Sequence, residues 1–113
     1  MRVVVVLILL LLALPGTPAA HVGGALWPAA KVLVVVDGMR LRVGAKVVRV
    51  DADTTLCSGE GRATLRRGVR TWRHFRCTFT TFTTSGIGRD VEFRVHPLTA
   101  RGMLVTNARW VVG

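Results

Sequence analysis

Residues 71 to 82, TWRHFRCTFTTF, are rich in β-branched and aromatic side chains and alternate in character. An extended backbone puts Phe75, Cys77 and Phe79 on one face and Trp72, His74 and Arg76 on the other, which is the period of a half-buried strand. The same period recurs on both sides of this stretch. MRLRV (39–43) sets Met39, Leu41 and Val43 against Arg40 and Arg42, and VEFRVH (91–96) sets Val91, Phe93 and Val95 against Glu92, Arg94 and His96. KVVRVDADTTL (46–56) and GMLVTNARWVV (102–112) are further strand candidates. The predicted core is Phe75, Cys77, Phe79, Val91, Phe93 and Val95.

Turn residues punctuate these segments at Gly59-Glu60-Gly61, Arg67-Gly68, Ser85 to Gly88 and Pro97 to Gly102. KVLVVV (31–36) runs into Asp37-Gly38, a dipeptide suited to a type I′ turn, so residues 31–43 are predicted to form a hairpin. The competing assignment is a helix over 28–36 starting at Pro28. The expected fold is mainly β: a small antiparallel meander of five to six short strands, folded as a curled sheet or small barrel with one disulfide. If residues 22–36 are helical, the fold is α+β, with a short N-terminal helix covering one face of the sheet.

The chain has 113 residues, half of them hydrophobic, and a net charge of +10. That is enough apolar material for one domain, and no linker or repeat divides it. The opening MRVVVVLILLLLALPGTPAA pairs Arg2 with an apolar run from Val3 to Leu14, a Pro15-Gly16 break and small residues up to Ala20. This is the anatomy of a secretory signal peptide over 1–20, cut after Ala19 or Ala20. The apolar run is shorter than the roughly 20 residues that a spanning helix requires. Residues 21–113 are then the exported domain, either free or held in the cell envelope.

Export suits Cys57 and Cys77, the two cysteines of the chain. An oxidising compartment lets them pair, and closing a loop of about 20 residues contributes on the order of 3 kcal/mol to a small, marginal domain. Two thiols at this spacing, without a C-x-x-C motif or regularly spaced histidines, do not make a zinc site.

Between the cysteines lie Arg62, Arg66, Arg67, Arg70, Arg73 and Arg76, with a single acid, Glu60. Guanidinium groups suit phosphate, sulfate and carboxylate. Interleaved with Trp72, His74 and Phe75, they can hold an anionic polymer by charge and stacking. The competing explanation is compositional, because nearly all of the 16 basic residues are arginine, as GC-rich coding yields. Asp51-Ala52-Asp53 reads as a solvated strand face rather than a metal site, and Gly59-x-Gly61 as a turn rather than a phosphate loop. His21, His74 and His96 lie far apart in sequence, with no acid spaced to orient any of them.

Cys57-x-Gly59-x-Gly61, Trp72-x-x-Phe75-x-Cys77, the alternating VEFRV and the closing MLVTNARW resemble small secreted proteins of actinobacterial type. The resemblance spans roughly residues 46–110 and implies an exported, disulfide-bonded β domain. It brings no activity, cofactor or site with it. The expectation is an exported, non-enzymatic, basic binding domain without cofactor or metal. Its surface at 62–76 would meet an acidic envelope polymer of teichoic type, an anionic membrane surface or an acidic protein, with no specific nucleic acid or small-molecule substrate. Two alternatives stand beside it: a secreted inhibitor or accessory protein that binds one folded target, and a small hydrolase using His74 or His96.

Overall fold

The computed structural model describes residues 24 to 111. The expected leader at 1–20, its expected cleavage point and His21 lie outside them. In chain order the described residues form a helix α1 (Ala29–Val36), then β1 (Arg40–Val43), β2 (Lys46–Arg49), a 3-10 turn (Ala52–Thr54), β3 (Leu56–Gly59), β4 (Thr64–Arg66), β5 (Val69–Thr71), β6 (Phe75–Phe82), β7 (Gly88–Pro97) and β8 (Met103–Trp110). All strand pairings are antiparallel, in three open sheets: β1-β2, β4-β5 and a four-stranded β3-β6-β7-β8. The protein is mainly β, built from short strands, as its alternation requires.

The four-stranded sheet is organised by the period-two pattern. Phe75, Cys77 and Phe79 of β6 and Val91, Phe93 and Val95 of β7 are all buried on one face. Each large aliphatic or aromatic side chain so covered contributes about 1.5–3 kcal/mol. Phe79 and Phe93 meet edge to face with ring centroids 5.9 Å apart. Trp27, Val32 and Val36 from the α1 side and Leu41, Val43 and Val50 from the β1–β2 side complete the same cluster. Helix and hairpin therefore form a second layer over the sheet. Cys57 faces Cys77 directly across β3 and β6, and their disulfide joins the core on the buried face.

The hairpin expected over 31–43 does not form. Residues 29–36 are helical, because Val32 and Val36 are spaced to fall on one helical face and are fully buried there, while Val34 is 77% exposed. Asp37-Gly38 is still a turn, but of type II: Asp37 sits at φ −58, ψ 127 and Gly38 at φ 78, and Met39 N–H closes it onto the Val36 carbonyl at 3.0 Å. The hairpin is shifted to β1–β2 around Gly44-Ala45, with Gly44 at φ 61. The segment 46–56 is likewise not one strand. Asp51 accepts from the backbone N–H of Asp53 at 2.9 Å and starts the 3-10 turn that separates β2 from β3. With β4 and β5 added, the strands outnumber the five to six expected, and the sheets stay open rather than closing into a barrel.

Candidate functional site

The disulfide-closed segment is an excursion from the main sheet. It leaves β3, turns through β4 and β5, and returns into β6, which pairs with β3. Among the described residues, β4 and β5 pair with each other and with no other strand. Their connection is Arg67-Gly68, both at positive φ (53 and 82), which is the two-residue turn that matches strand twist. Thr71 Oγ1 donates to the Thr64 carbonyl at 2.7 Å across the open end.

The root of this arm is pinned by tryptophan. Trp72 exchanges backbone hydrogen bonds with Trp27 at 2.9 and 3.0 Å, and its ring meets Phe75 edge to face at 5.8 Å. The indole also lies against Gly59, where any Cβ would overlap it. Trp72 therefore packs on the core side and does not share a surface with His74 and Arg76. Strand alternation begins only at Phe75, after Arg73 and His74 have carried the chain round.

The six arginines between the cysteines divide into three groups, with Arg66 shared between two of them. Arg62, Arg66, Arg67 and Arg70 are exposed on or beside the arm, and among the described residues no carboxylate pairs with any of them. Arg66 and Arg73 also line a depression of about 310 Å³ at the arm's root, together with Trp27 and Lys31, and no acidic residue lines it. There Arg73 donates to the Gly24 carbonyl at 3.3 Å, and the Lys31 ammonium, bonded to the Ala100 carbonyl, sits 4.6 Å from the Trp27 ring centroid. Lys31 is the residue that sequence reasoning missed. Only the helical assignment of 28–36 would have turned it toward Trp27.

Arg76 belongs to the open face of the main sheet, with Glu60, Glu92, Arg94 and Arg109. Arg109 binds Glu92 Oε1 through Nε at 3.1 Å and Nη2 at 2.7 Å, while Arg76 and Arg94 stand 3.6 and 3.9 Å from Glu60. The hydrogen bond from Arg109 holds the Glu92 carboxyl below its usual range, with burial opposing it and the Arg109, Arg76 and Arg94 charges adding to it. His74 and His96 also meet on this face, Nδ1 to Nδ1 at 2.8 Å, and His96 Nε2 lies 2.8 Å from Thr106 Oγ1. Burial foremost, then the neighbouring His74, pushes the His96 imidazole below its ordinary value. Neither histidine has a carboxylate hydrogen-bond partner among the described residues.

Asp51 and Asp53 serve the 3-10 turn. Gly59-x-Gly61 is a site of close packing at Gly59 and a positive φ of 82 at Gly61. No protein-family model, no curated protein and no solved structure matches the chain.

Proposed function

We propose that this chain is an exported, basic, non-enzymatic binding domain whose β4–β5 arm takes a phosphate-rich acidic polymer of the cell envelope, of teichoic type. The observation that carries the reading is the partition of charge. The carboxylates that pair with arginine, Glu60 and Glu92, lie on the open face of the main sheet, while Arg62, Arg66, Arg67 and Arg70 on the arm meet none among the described residues. Guanidinium groups that no carboxylate compensates, carried on both faces of the arm, raise the local concentration of polyanion and can fork onto its phosphates. Lys31 adds a further cation in the depression at the root, beside Arg66.

A polymer is favoured over a bilayer surface by the pairing within the arm. Leu65 stands opposite Arg70 and Val69 opposite Arg66, so the two exposed aliphatic residues fall on opposite faces, each beside an arginine. A membrane-seating element concentrates its apolar residues on one face, and this one does not. The test is residue-level mapping by NMR while a teichoic-type polymer is added to the exported protein. Shifts are expected at residues 62–73 and Lys31, leaving β7 and β8 unmoved. Shifts confined to the main sheet, or none at low salt, would overturn the proposal.

A further inference from the structure

We infer that His74 and His96 form a surface site for a borderline divalent transition metal, Cu(II) foremost, bound through their two Nδ1 atoms. His74 immediately precedes β6 and stands opposite His96 on β7, one step beyond the Phe75–Val95 pair. The two Nδ1 atoms are 2.8 Å apart and the rings are inclined at 70°. With metal–nitrogen bonds of about 2.0 Å, two cis ligands of a square plane lie about 2.8 Å apart, whereas two corners of a tetrahedron lie about 3.3 Å apart. The two nitrogens are thus close enough to share one ion, once the rings turn about their soft χ2 torsions so that the Nδ1 atoms, now hydrogen-bonded to each other, face a common point.

The far nitrogen of His96 supports this role. Thr106 Oγ1, projecting from β8, lies 2.8 Å from His96 Nε2. A proton on Nε2 donates to that hydroxyl and leaves Nδ1 as the ligand, the way an outer partner commonly orients a ligating histidine. His74 donates its Nδ1 proton to His96 in the free protein. On binding, that proton moves to His74 Nε2 through solvent, so the neutral pair takes the ion without net proton release.

Charge at the site is mixed. Glu60, whose N–H bonds the His74 carbonyl at 2.8 Å, brings a carboxylate to the same face, opposed by Arg76 and Arg94. Among the described residues no group of three His, Cys, Asp or Glu gathers anywhere. The protein therefore supplies two nitrogens and water supplies the rest, and in such a site the Irving–Williams order and the preference of imidazole favour Cu(II) over Zn(II).

The experiment is a titration of residues 21–113 with Cu(II) ion in a non-coordinating buffer, read by electron paramagnetic resonance, with His21→Ala throughout so that the third histidine of the chain does not compete. One equivalent is expected to bind with an axial spectrum and hyperfine coupling from two imidazole nitrogens. His74→Gln or His96→Gln should weaken binding at least tenfold, and Thr106→Val should weaken it less. Should either glutamine variant fail to fold, the nitrogen count in the parent protein decides the matter alone. Zero or one coupled imidazole, or unchanged affinity in folded variants, would overturn the inference.

Discussion

Trp72 lies against the α-carbon of Gly59 so closely that the position tolerates no side chain. This contact joins the start of the disulfide-closed excursion to its end. Gly59→Ala must displace the indole and is expected to destabilise the domain by about 1–3 kcal/mol, as overpacking does. Gly61→Ala, with open space around it but φ at 82, is expected to cost about 1 kcal/mol through backbone strain alone. Urea midpoints together with the near-ultraviolet circular dichroism of the tryptophans check both, and a lost tryptophan signal belongs to Gly59→Ala only.

Phe93 is fully buried and touches Phe79, whereas its neighbour Arg94 projects from the opposite face with its side chain 40% exposed. Phe93→Ala is expected to cost about 3–5 kcal/mol. Arg94→Ala is expected to cost at most about 1 kcal/mol, the range of exposed ion pairs. Denaturant titration of the two variants distinguishes them, and equal losses would contradict the assignment of faces on β7.

Two groups give stability a pH dependence of known sign. Glu92 is held below its ordinary value of 4.5, so its contribution is complete above that value and is lost as the pH falls through the lower folded value. His96 is also held below its ordinary value of 6.5, so the unfolded chain protonates first and stability declines as the pH drops beneath 6.5. Melting temperature against pH should therefore fall in two stages. His96→Gln is expected to remove the upper one and Glu92→Gln the lower one.

The disulfide closes a sequence separation of 20 and leaves Cys77 with no exposure. Replacing both cysteines with alanine is expected to cost about 3 kcal/mol. Because Cys77 is buried and Cys57 partly so, the bridge should be reduced more slowly in the native protein than in denaturant. Thiol counting with and without urea makes that comparison.

The main sheet was legible in the sequence because its buried side chains alternate strictly. Phe75, Cys77, Phe79, Val91, Phe93 and Val95 needed no information beyond the period, and Arg67-Gly68 was marked as a turn. The second layer was not legible in the same way. An all-apolar run such as KVLVVV satisfies a strand and a helix alike, and what decides between them is that Val32 and Val36 are buried while Val34 is exposed, which is a tertiary outcome. β4 and β5 were overlooked because three-residue strands with one aliphatic residue each carry no period.

The candidate site was legible in its composition and not in its arrangement. Six arginines between two cysteines looked like one surface. The fold sends Arg76 to the carboxylates of the main sheet, turns Trp72 inward onto Gly59, and recruits Lys31 from a distant helix. The meeting of His74 with His96 was equally hidden, since strand register, not spacing, brings them together.

The central claim is that the arm, and not net charge alone, engages a polyanion. The direct measurement is the affinity of three proteins for a purified teichoic-type polymer over a range of salt: the wild type, Arg66→Ser/Arg67→Ser/Arg70→Ser, and Arg40→Ser/Arg42→Ser as a charge control on β1. Counterion release gives log affinity a slope against log salt that scales with the number of phosphate contacts. The wild type and the β1 control are expected to bind at low salt with similar, steep slopes, and the arm variant to bind weakly with a flattened one. If the wild type does not bind at low salt, or the arm variant keeps the affinity and slope of the wild type, the claim is wrong and the arginines of the arm are only solvated charge.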